Sequence, residues 1–327
     1  MGNKLSISIA MCTYNGAKYL SEQLESINKQ ILLPDELIVC DDGSSDETVD
    51  LVKSFAEASD FPVKLFVNKE NLGSTKNFEK AIQLCSGSII VLTDQDDVWT
   101  LDKLSTIEDI FVSQTEIGMI FSDAQMIDDF SNSLDYKLWD YLKFNKKEQA
   151  LFDLTPEVIT SLFIRKNVVA GATMCFRAEF KEDILPIAEG WIHDAWISIL
   201  LASHTKIRVV DRPLIMYRQH ARQQLGAKNH SRGVRQDIIA IRNSKNDIYA
   251  KQKAAYELLL NTMERGNSCS DGVIALVKNK IKHLERRKLI ENNIFLLKIL
   301  YVFIELINGR YHKYSSGWKS SIKDLIT

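Results

Sequence analysis

Cysteine is scarce and scattered: five residues, at 12, 40, 85, 175 and 269, with no CxxC and no Cys/His spacing suited to a metal. An odd, dispersed set excludes a disulfide framework and a zinc site, and reads as reduced core thiols of a cytoplasmic protein. Long apolar runs are also missing. The longest, IFLLKILYVFIELI at 294–307, is broken by Lys298 and Glu305, and a bilayer span needs about 20 apolar residues. No basic stretch and long apolar segment precede the first strand pattern, so no signal peptide is expected. Neither GxGxxG nor GxxxxGK(S/T) follows that strand, which disfavours ordinary dinucleotide and P-loop binding. No DxDxT ends it either, which disfavours a phosphatase nucleophile. There is no internal repeat and no low-complexity tract.

Net charge is almost absent, at −2, but its distribution is not even. Residues 228–327 carry 19 Lys and Arg against 9 Asp and Glu, a balance of +10, and residues 1–227 carry 22 against 34, a balance of −12. An acidic front part and a basic tail suggest two jobs, the second toward an anionic partner. The length of 327 residues and 45% hydrophobic content suit an ordinary globular protein with a sizeable core.

The first 122 residues alternate. Strand patterns at 5–11, 36–40, 62–67, 88–92 and 118–122 enclose helical ones, in which Leu20, Leu24 and Ile27 or Phe78, Ala81, Ile82 and Cys85 mark one face. Ser44 and Glu47 offer a capping box for the second helix, and Thr100 a cap for the fourth. The order predicts an α/β fold with a mainly parallel sheet covered on both faces. Further on, 168–177 reads as a strand, 191–204 as a helix, 206–210 and 214–217 as short strands, and the chain beyond about 233 as basic helices. The expected division is one domain over 1–227, made of two halves that meet at about 122, followed by a helical region over 228–327.

Ligands of such sheets bind beyond the carboxyl ends of the strands, where this chain gathers its polar residues. IIVLTDQDDVW runs a buried-looking strand into Asp94, Asp96 and Asp97. Asp94 and Asp96, two apart at a strand end, can turn toward Mg²⁺ or Mn²⁺ bridging a substrate diphosphate. The competing reading is a solvated turn, with Asp97 or Thr100 capping the next helix. Asp41 and Asp42 end the second strand, where a carboxylate accepts hydrogen bonds from a base N–H or a ribose hydroxyl. Thr13, Tyr14 and Asn15 supply backbone contacts and an aromatic platform, with Tyr14 as plain core the alternative. Asp194, in WIHDAW, falls at the expected start of a helix, as an N-cap and, while ionised, a general base on an alcohol. Its neighbours Trp191, His193 and Trp196 are acceptor candidates, since tryptophans stack on sugar faces. Arg218 and His220, in YRQH, could neutralise a diphosphate or add a metal ligand.

In this order the stretches ISIAMCTYNG, ELIVCDDGSSDET, NLGSTKNF, IIVLTDQDDVW, GATMCFR, WIHDAW and YRQH resemble the family-2 glycosyltransferases. These are inverting enzymes with the nucleotide-diphospho-sugar transferase (GT-A) fold. DQDDVW, YRQH and the tail GRYHKYSSGWKSSIKDL are similar to a bacterial rhamnosyltransferase-like subgroup that builds surface polysaccharides. The resemblance covers about residues 5–222. It implies that Thr13, Tyr14 and Asn15 line the nucleotide site, that Asp41 or Asp42 contacts the base, and that Asn71, Gly73 and Asn77 lie near the ribose and sugar diphosphate. It implies Asp96 as the direct metal ligand, Asp94 nearer the ribose, and Asp194 as catalytic base. No QxxRW occurs, which favours transfer of one sugar over processive synthesis.

The expected activity is metal-dependent transfer of one sugar, with dTDP-rhamnose the first donor candidate, to a hydroxyl of a lipid-linked or polysaccharide acceptor in cell-envelope glycan synthesis. The cofactor is Mg²⁺ or Mn²⁺, and nucleic acid is not an expected partner. A sugar nucleotidylyltransferase is the alternative enzyme, although CTYNGAKYL lacks its Gly-rich basic loop. A non-catalytic nucleotide-sugar-binding protein is the alternative outside catalysis. The apolar stretch at 294–307, followed by Arg310, Lys313, Trp318, Lys319 and Lys323, suits peripheral contact with an anionic inner membrane face, against packing on the catalytic domain or a homodimer contact.

Overall fold

The computed structural model describes residues 5–220, 248–266 and 269–326. The described residues form two compact units, one from residues 5–153, 168–187 and 192–220, the other from 154–167, 188–191, 248–266 and 269–326. Two short segments of the expected catalytic region, 154–167 and 188–191, thus pack with the C-terminal helices.

The first unit opens with β1 (Ile7–Thr13), α1 (Ala17–Asn28), β2 (Glu36–Asp41), α2 (Thr48–Ala58), β3 (Val63–Val67), α3 (Ser74–Leu84) and β4 (Ile89–Thr93). Every residue of β1, β2 and β4 is buried. Continuous apolar runs such as IIVLT are what strands covered on both faces require. Pairing is parallel in the order β3-β2-β1-β4. The register sets Thr13 opposite Asp41 and Asp41 opposite Val67, so these strands finish level and their polar termini share one edge.

Next come β5 (Val98–Trp99), α4 (Lys103–Ser113), β6 (Ile117–Ile127), β7 (Ser133–Lys137), α5 (Leu138–Leu142) and α6 (Lys146–Gln149). After α7 (Pro156–Arg165), which belongs to the other unit, follow β8 (Met174–Arg177), α8 (Lys181–Ile184), α9 (His193–Ala202) and β9 (Lys206–Arg218). The expected fifth parallel strand, β6, does not pair with β4. β8 lies between them, antiparallel to both, and the sheet continues through β9, parallel to β6, to β5. The result is an α/β fold on a mixed sheet whose longest ladders are parallel. Only the last four residues of the expected strand at 168–177 are extended, and Gly171–Thr173 is a 3-10 turn. The two short strands expected at 206–217 are one. β9 tolerates Pro213 because its register with β6 shifts at Asp123, directly opposite the proline. The aromatics after β6 condense into a cluster of Phe121, Trp139, Phe144 and Phe152, with ring centroids 5.1–5.9 Å apart.

The caps differ from expectation. α2 starts at Thr48, and Asp46, not Ser44, accepts its first N–H, at 3.1 Å. Ser44 is taken up by Asp41, and the Ser44/Glu47 box does not form. Thr100 donates to Asp102, which holds the N-cap position of α4.

The second unit contains α7, α10 (Ile248–Gly266), α11 (Asp271–Glu291), α12 (Phe295–Ile307), α13 (Arg310–Tyr314) and α14 (Trp318–Ile326). Ile290, Val302 and Tyr311 form an apolar cluster here. Two buried ionic knots accompany it. Asp324 accepts from Arg287, Tyr249 and Tyr311, and Glu305 from Arg286, Arg310 and, at 2.8 Å, the His283 ring. Among the described residues no helix is long and apolar enough to cross a membrane. All five cysteines are free, and all but Cys269 are buried.

Candidate active site

The strand ends of the first unit are tied together by their own side chains. The Asp41 carboxylate, fully buried, accepts from Thr13 Oγ1 at 2.8 Å, Ser44 Oγ at 2.6 Å, and the N–H groups of Gly43 and Ser44 at 3.1 and 2.8 Å. Its four acceptor positions are filled. Asp42 holds the next loop, taking Asn68 Nδ2 and the N–H groups of Leu72 and Gly73 at 2.8–2.9 Å, and among the described residues keeps one position open on Oδ2. Asn77, expected near the sugar diphosphate, is buried and donates to the Cys40 carbonyl at 2.7 Å. Asn71 reaches the Asp42 carbonyl at 3.2 Å, and Gly73 takes φ +78° at the start of α3, a conformation suited to glycine. The Thr13 hydroxyl is committed to Asp41. Tyr14 stays exposed at the end of β1, and Asn15 adopts φ +47° and braces Ser45.

Gln95, between the two aspartates of the DQD turn, was not singled out by the sequence. It accepts from the Tyr14 N–H at 2.9 Å and donates to the Tyr14 carbonyl at 3.0 Å, locking the metal-candidate turn to the nucleotide-candidate loop. A Cβ on Gly16 would lie 2.0 Å from Gln95 Oε1, so glycine at 16 makes room for this lock.

Beyond β4 the carboxylates crowd. Burial first, then Asp96 and Asp194, push the Asp94 carboxyl up to about 7. Asp97 is buried. Burial, Asp96 and Asp94 raise its carboxyl well above the usual range, and one oxygen has no hydrogen-bond partner among the described residues, which suits the neutral acid. Its other oxygen accepts from the Arg218 N–H at 3.1 Å, so Asp97 ties the turn to β9 instead of capping α4. Lys103 is buried among these groups, 3.9 Å over the Trp99 ring, and burial lowers its ammonium to about 7. Tyr217 is raised by burial and by Asp97, Asp94, Asp96 and Asp194 together. It therefore belongs to the same cluster, although periodicity marked it only as strand. Asp194 sits within the first turn of α9, behind Ile192 at the N-cap, where the helix dipole favours a carboxylate.

Some expected residues face elsewhere. Arg218 is 1% exposed, and its guanidinium donates to the Asp96 carbonyl at 2.8 Å, Ser131 Oγ at 2.8 Å and Glu22 at 2.5 Å. It braces the DQD turn from beneath instead of presenting its fork to a diphosphate. His193 is in the core, stacked on Phe78 at 4.0 Å, and burial lowers its imidazole to about 3. Trp196 is fully buried and donates to the Ile184 carbonyl. Helical rotation carries both rings inward while Asp194, between them, stays half-exposed. Trp191 lies in the second unit, where it donates to the Ala255 carbonyl and meets the Tyr256 ring at 5.1 Å. These positions do not suit stacking on an acceptor sugar.

His220 Nε2 lies 2.7 Å from Asp96 Oδ2, its ring against Tyr19. Among the described residues no three His, Cys, Asp or Glu side chains form a ready cage for a metal ion. Mg²⁺ and Mn²⁺ do not require one at such sites, where one or two carboxylates act with substrate phosphates. Carboxylates at this turn suit such a cation in kind: Asp96, with His220 at its Oδ2, and Asp94 would hold it together with the substrate's phosphates.

The chain is similar to known proteins in sequence and in fold. Residues 8–170 match the family model described as Glycosyl transferase family 2. This stretch is a family-2 glycosyltransferase domain. Similar to it are a UDP-Glc:alpha-D-GlcNAc-diphosphoundecaprenol beta-1,3-glucosyltransferase of Escherichia coli, 28% identical over 59% of this chain and 69% of that one, and a dTDP-rhamnosyl transferase of Shigella flexneri, 26% identical over 66% and 74%. The fold is that of a mannosyltransferase from Pyrobaculum calidifontis solved with GDP-Man and Mn²⁺, with a TM-score of 0.53 at 15% identity over 99% of this chain and 86% of that one. A glucosyl and a rhamnosyl transferase are similar to nearly the same degree, so the likeness carries the family and not the sugar.

Proposed function

We propose that this glycosyltransferase moves one sugar from a nucleotide-diphospho-sugar to an acceptor hydroxyl, with inversion, in bacterial surface-glycan synthesis. The observation that carries this reading is the convergence of Asp94, Asp96 and Asp194 at the carboxyl edge of the sheet. Tyr14 and the open oxygen of Asp42 receive the base. Asp94 faces the ribose side. Asp194 accepts the proton of the acceptor hydroxyl as its oxygen bonds to the anomeric carbon and the bond from that carbon to the diphosphate oxygen breaks, releasing the nucleoside diphosphate. One displacement inverts the centre. Asp96, with Asp94 and His220, would hold a divalent cation, which when bound neutralises the leaving diphosphate. Arg218 acts by holding the Asp96 backbone.

Activated rhamnose and glucose are the donors to try first, with dTDP-rhamnose the leading candidate, and the E. coli relative's named acceptor supports a lipid-linked one. A panel of nucleotide sugars with Mg²⁺ or Mn²⁺, scored for nucleoside diphosphate release, tests the class. In that assay Asp194→Asn should keep donor binding and lose about 10²–10⁴-fold in transfer, the range for a positioned general base; near-native turnover would remove Asp194 from the base role. Pyrophosphate release from a sugar 1-phosphate and a nucleoside triphosphate would point instead to nucleotidyl transfer.

A further inference from the structure

The second unit contains a helix seated inside out. α12 turns Lys298, Val302 and Glu305, spaced i, i+4, i+7, toward the protein, and they are 9%, 3% and 1% exposed. Nine of its 13 residues are large apolar side chains left exposed, among them Phe295 at 63%, Leu296 at 75%, Phe303 at 58% and Ile307 at 70%. Rotating the helix to hide them would pull Glu305 away from His283, Arg286 and Arg310. Its ionic underside therefore fixes the apolar face outward. α14 adds Trp318 at 63% and Ile322 at 54%. A contiguous apolar surface of this kind on a folded unit marks a binding face.

Charge identifies the occupant. Between residues 286 and 326 the acids are Glu291, Glu305 and Asp324, and the last two are buried at 1%. Arg286, Lys288, Arg310, Lys313, Lys319 and Lys323 all reach the surface wholly or in part. An apolar helix face with a cationic border and a tryptophan suits a bilayer interface with anionic lipid. A second copy of the chain suits it less, because a two-fold contact sets the same cations near each other with little acid to offset them.

We infer that α12 and α14 form a docking surface for an anionic lipid bilayer, on which α12 lies in the plane of the interface. This deepens the lipid-linked acceptor reading and rests on it for its purpose, though not for its geometry. The test uses the full chain and vesicles of phosphatidylcholine alone or in equal parts with phosphatidylglycerol, read by flotation in low and high salt. Binding to the anionic vesicles that weakens in salt is expected. Lys313→Glu with Lys319→Glu should lower the partition coefficient by about tenfold or more, and Leu296→Asp with Phe303→Asp should abolish binding. All four side chains point to solvent, and an unchanged circular dichroism melt verifies that the variants fold. No flotation of the wild type, or binding indifferent to both pairs, overturns the inference. A dimer seen by light scattering and lost in the Leu296/Phe303 variant, with no flotation, assigns the face to self-association instead. Donor hydrolysis without vesicles is measured in parallel. It is expected to be unaffected by either pair, so its loss in the wild type would count against the transferase reading and not against docking.

Discussion

Glu305 shows how one residue decides which way an element faces. Burial pushes its carboxyl up, and hydrogen bonds from His283, Arg310 and Arg286 more than reverse this, holding it at about 2 against an ordinary 4.5. A depressed carboxyl stabilises the folded state above its unfolded pKa and loses that contribution as pH falls from about 4.5 through about 2. Glu305→Gln should therefore destabilise the second unit by about 3 kcal/mol at pH 7. The gap from wild type should close across that acid window in denaturant titrations; a pH-independent gap would mean that packing, not charge, is what the residue supplies. At this scale the sequence pointed to Asp94, Asp96 and Asp194, whose cluster forms. It pointed less well to His193, Trp196 and Arg218. These residue types suit ligands, but side-chain direction is set by packing that no local pattern encodes.

At the scale of elements, the Gln95 lock makes a prediction that two single substitutions cannot. Gly16→Ala places a methyl where Gln95 Oε1 sits, and Gln95→Ala removes the two bonds to Tyr14. Each alone should raise the KM for the donor severalfold, because the loop that carries Tyr14 is no longer tied to the turn that carries Asp96. Together they should cost little more than Gln95→Ala alone, since the methyl then has space, giving strong non-additivity in a double-mutant cycle. Simple addition would show that the two positions do not meet. The elements themselves were legible where the pattern is local. β2 and β4 carry unbroken apolar runs, Leu37–Cys40 and Ile89–Leu92, β1 is apolar but for Ser8 and Thr13, and α1 and α3 have clear helical faces. β8 was not legible in its place. Inserting it antiparallel between β4 and β6 is a long-range choice, and four residues carry too little pattern to announce it. Pro213 likewise split β9 on paper, because the register shift that accommodates it shows only in the pairing with β6.

The whole molecule consists of two units with separate means of stabilisation, one an apolar-walled sheet and the other a helical bundle with ionic knots. The residues proposed to bind the donor all belong to the first. Asp324→Asn strips Arg287, itself only 7% exposed, of its charged partner. It should cost the second unit about 3–5 kcal/mol, the usual effect of breaking a buried pair. Titration calorimetry should find nucleoside diphosphate affinity unchanged in that variant, and a parallel loss of affinity would mean that the two units are energetically one. The charge asymmetry visible in the sequence set the expected boundary at 227/228. It could not place 154–167 and 188–191 with the helices, because membership there depends on contacts such as Trp191 with Tyr256, far apart in the chain.

The Arg218 brace has a consequence for descent. Its guanidinium meets Glu22 across 196 positions of sequence, and neither side chain is assigned to touch substrate. A lysine at 218 could not span the Asp96 carbonyl, Ser131 and Glu22 at once, because it lacks the planar fork. Lineages that lose one partner should therefore lose or replace the other, so the pair should drift together through related genes as a covarying couple whose trace records the support beneath the DQD turn and says nothing of the sugar being moved.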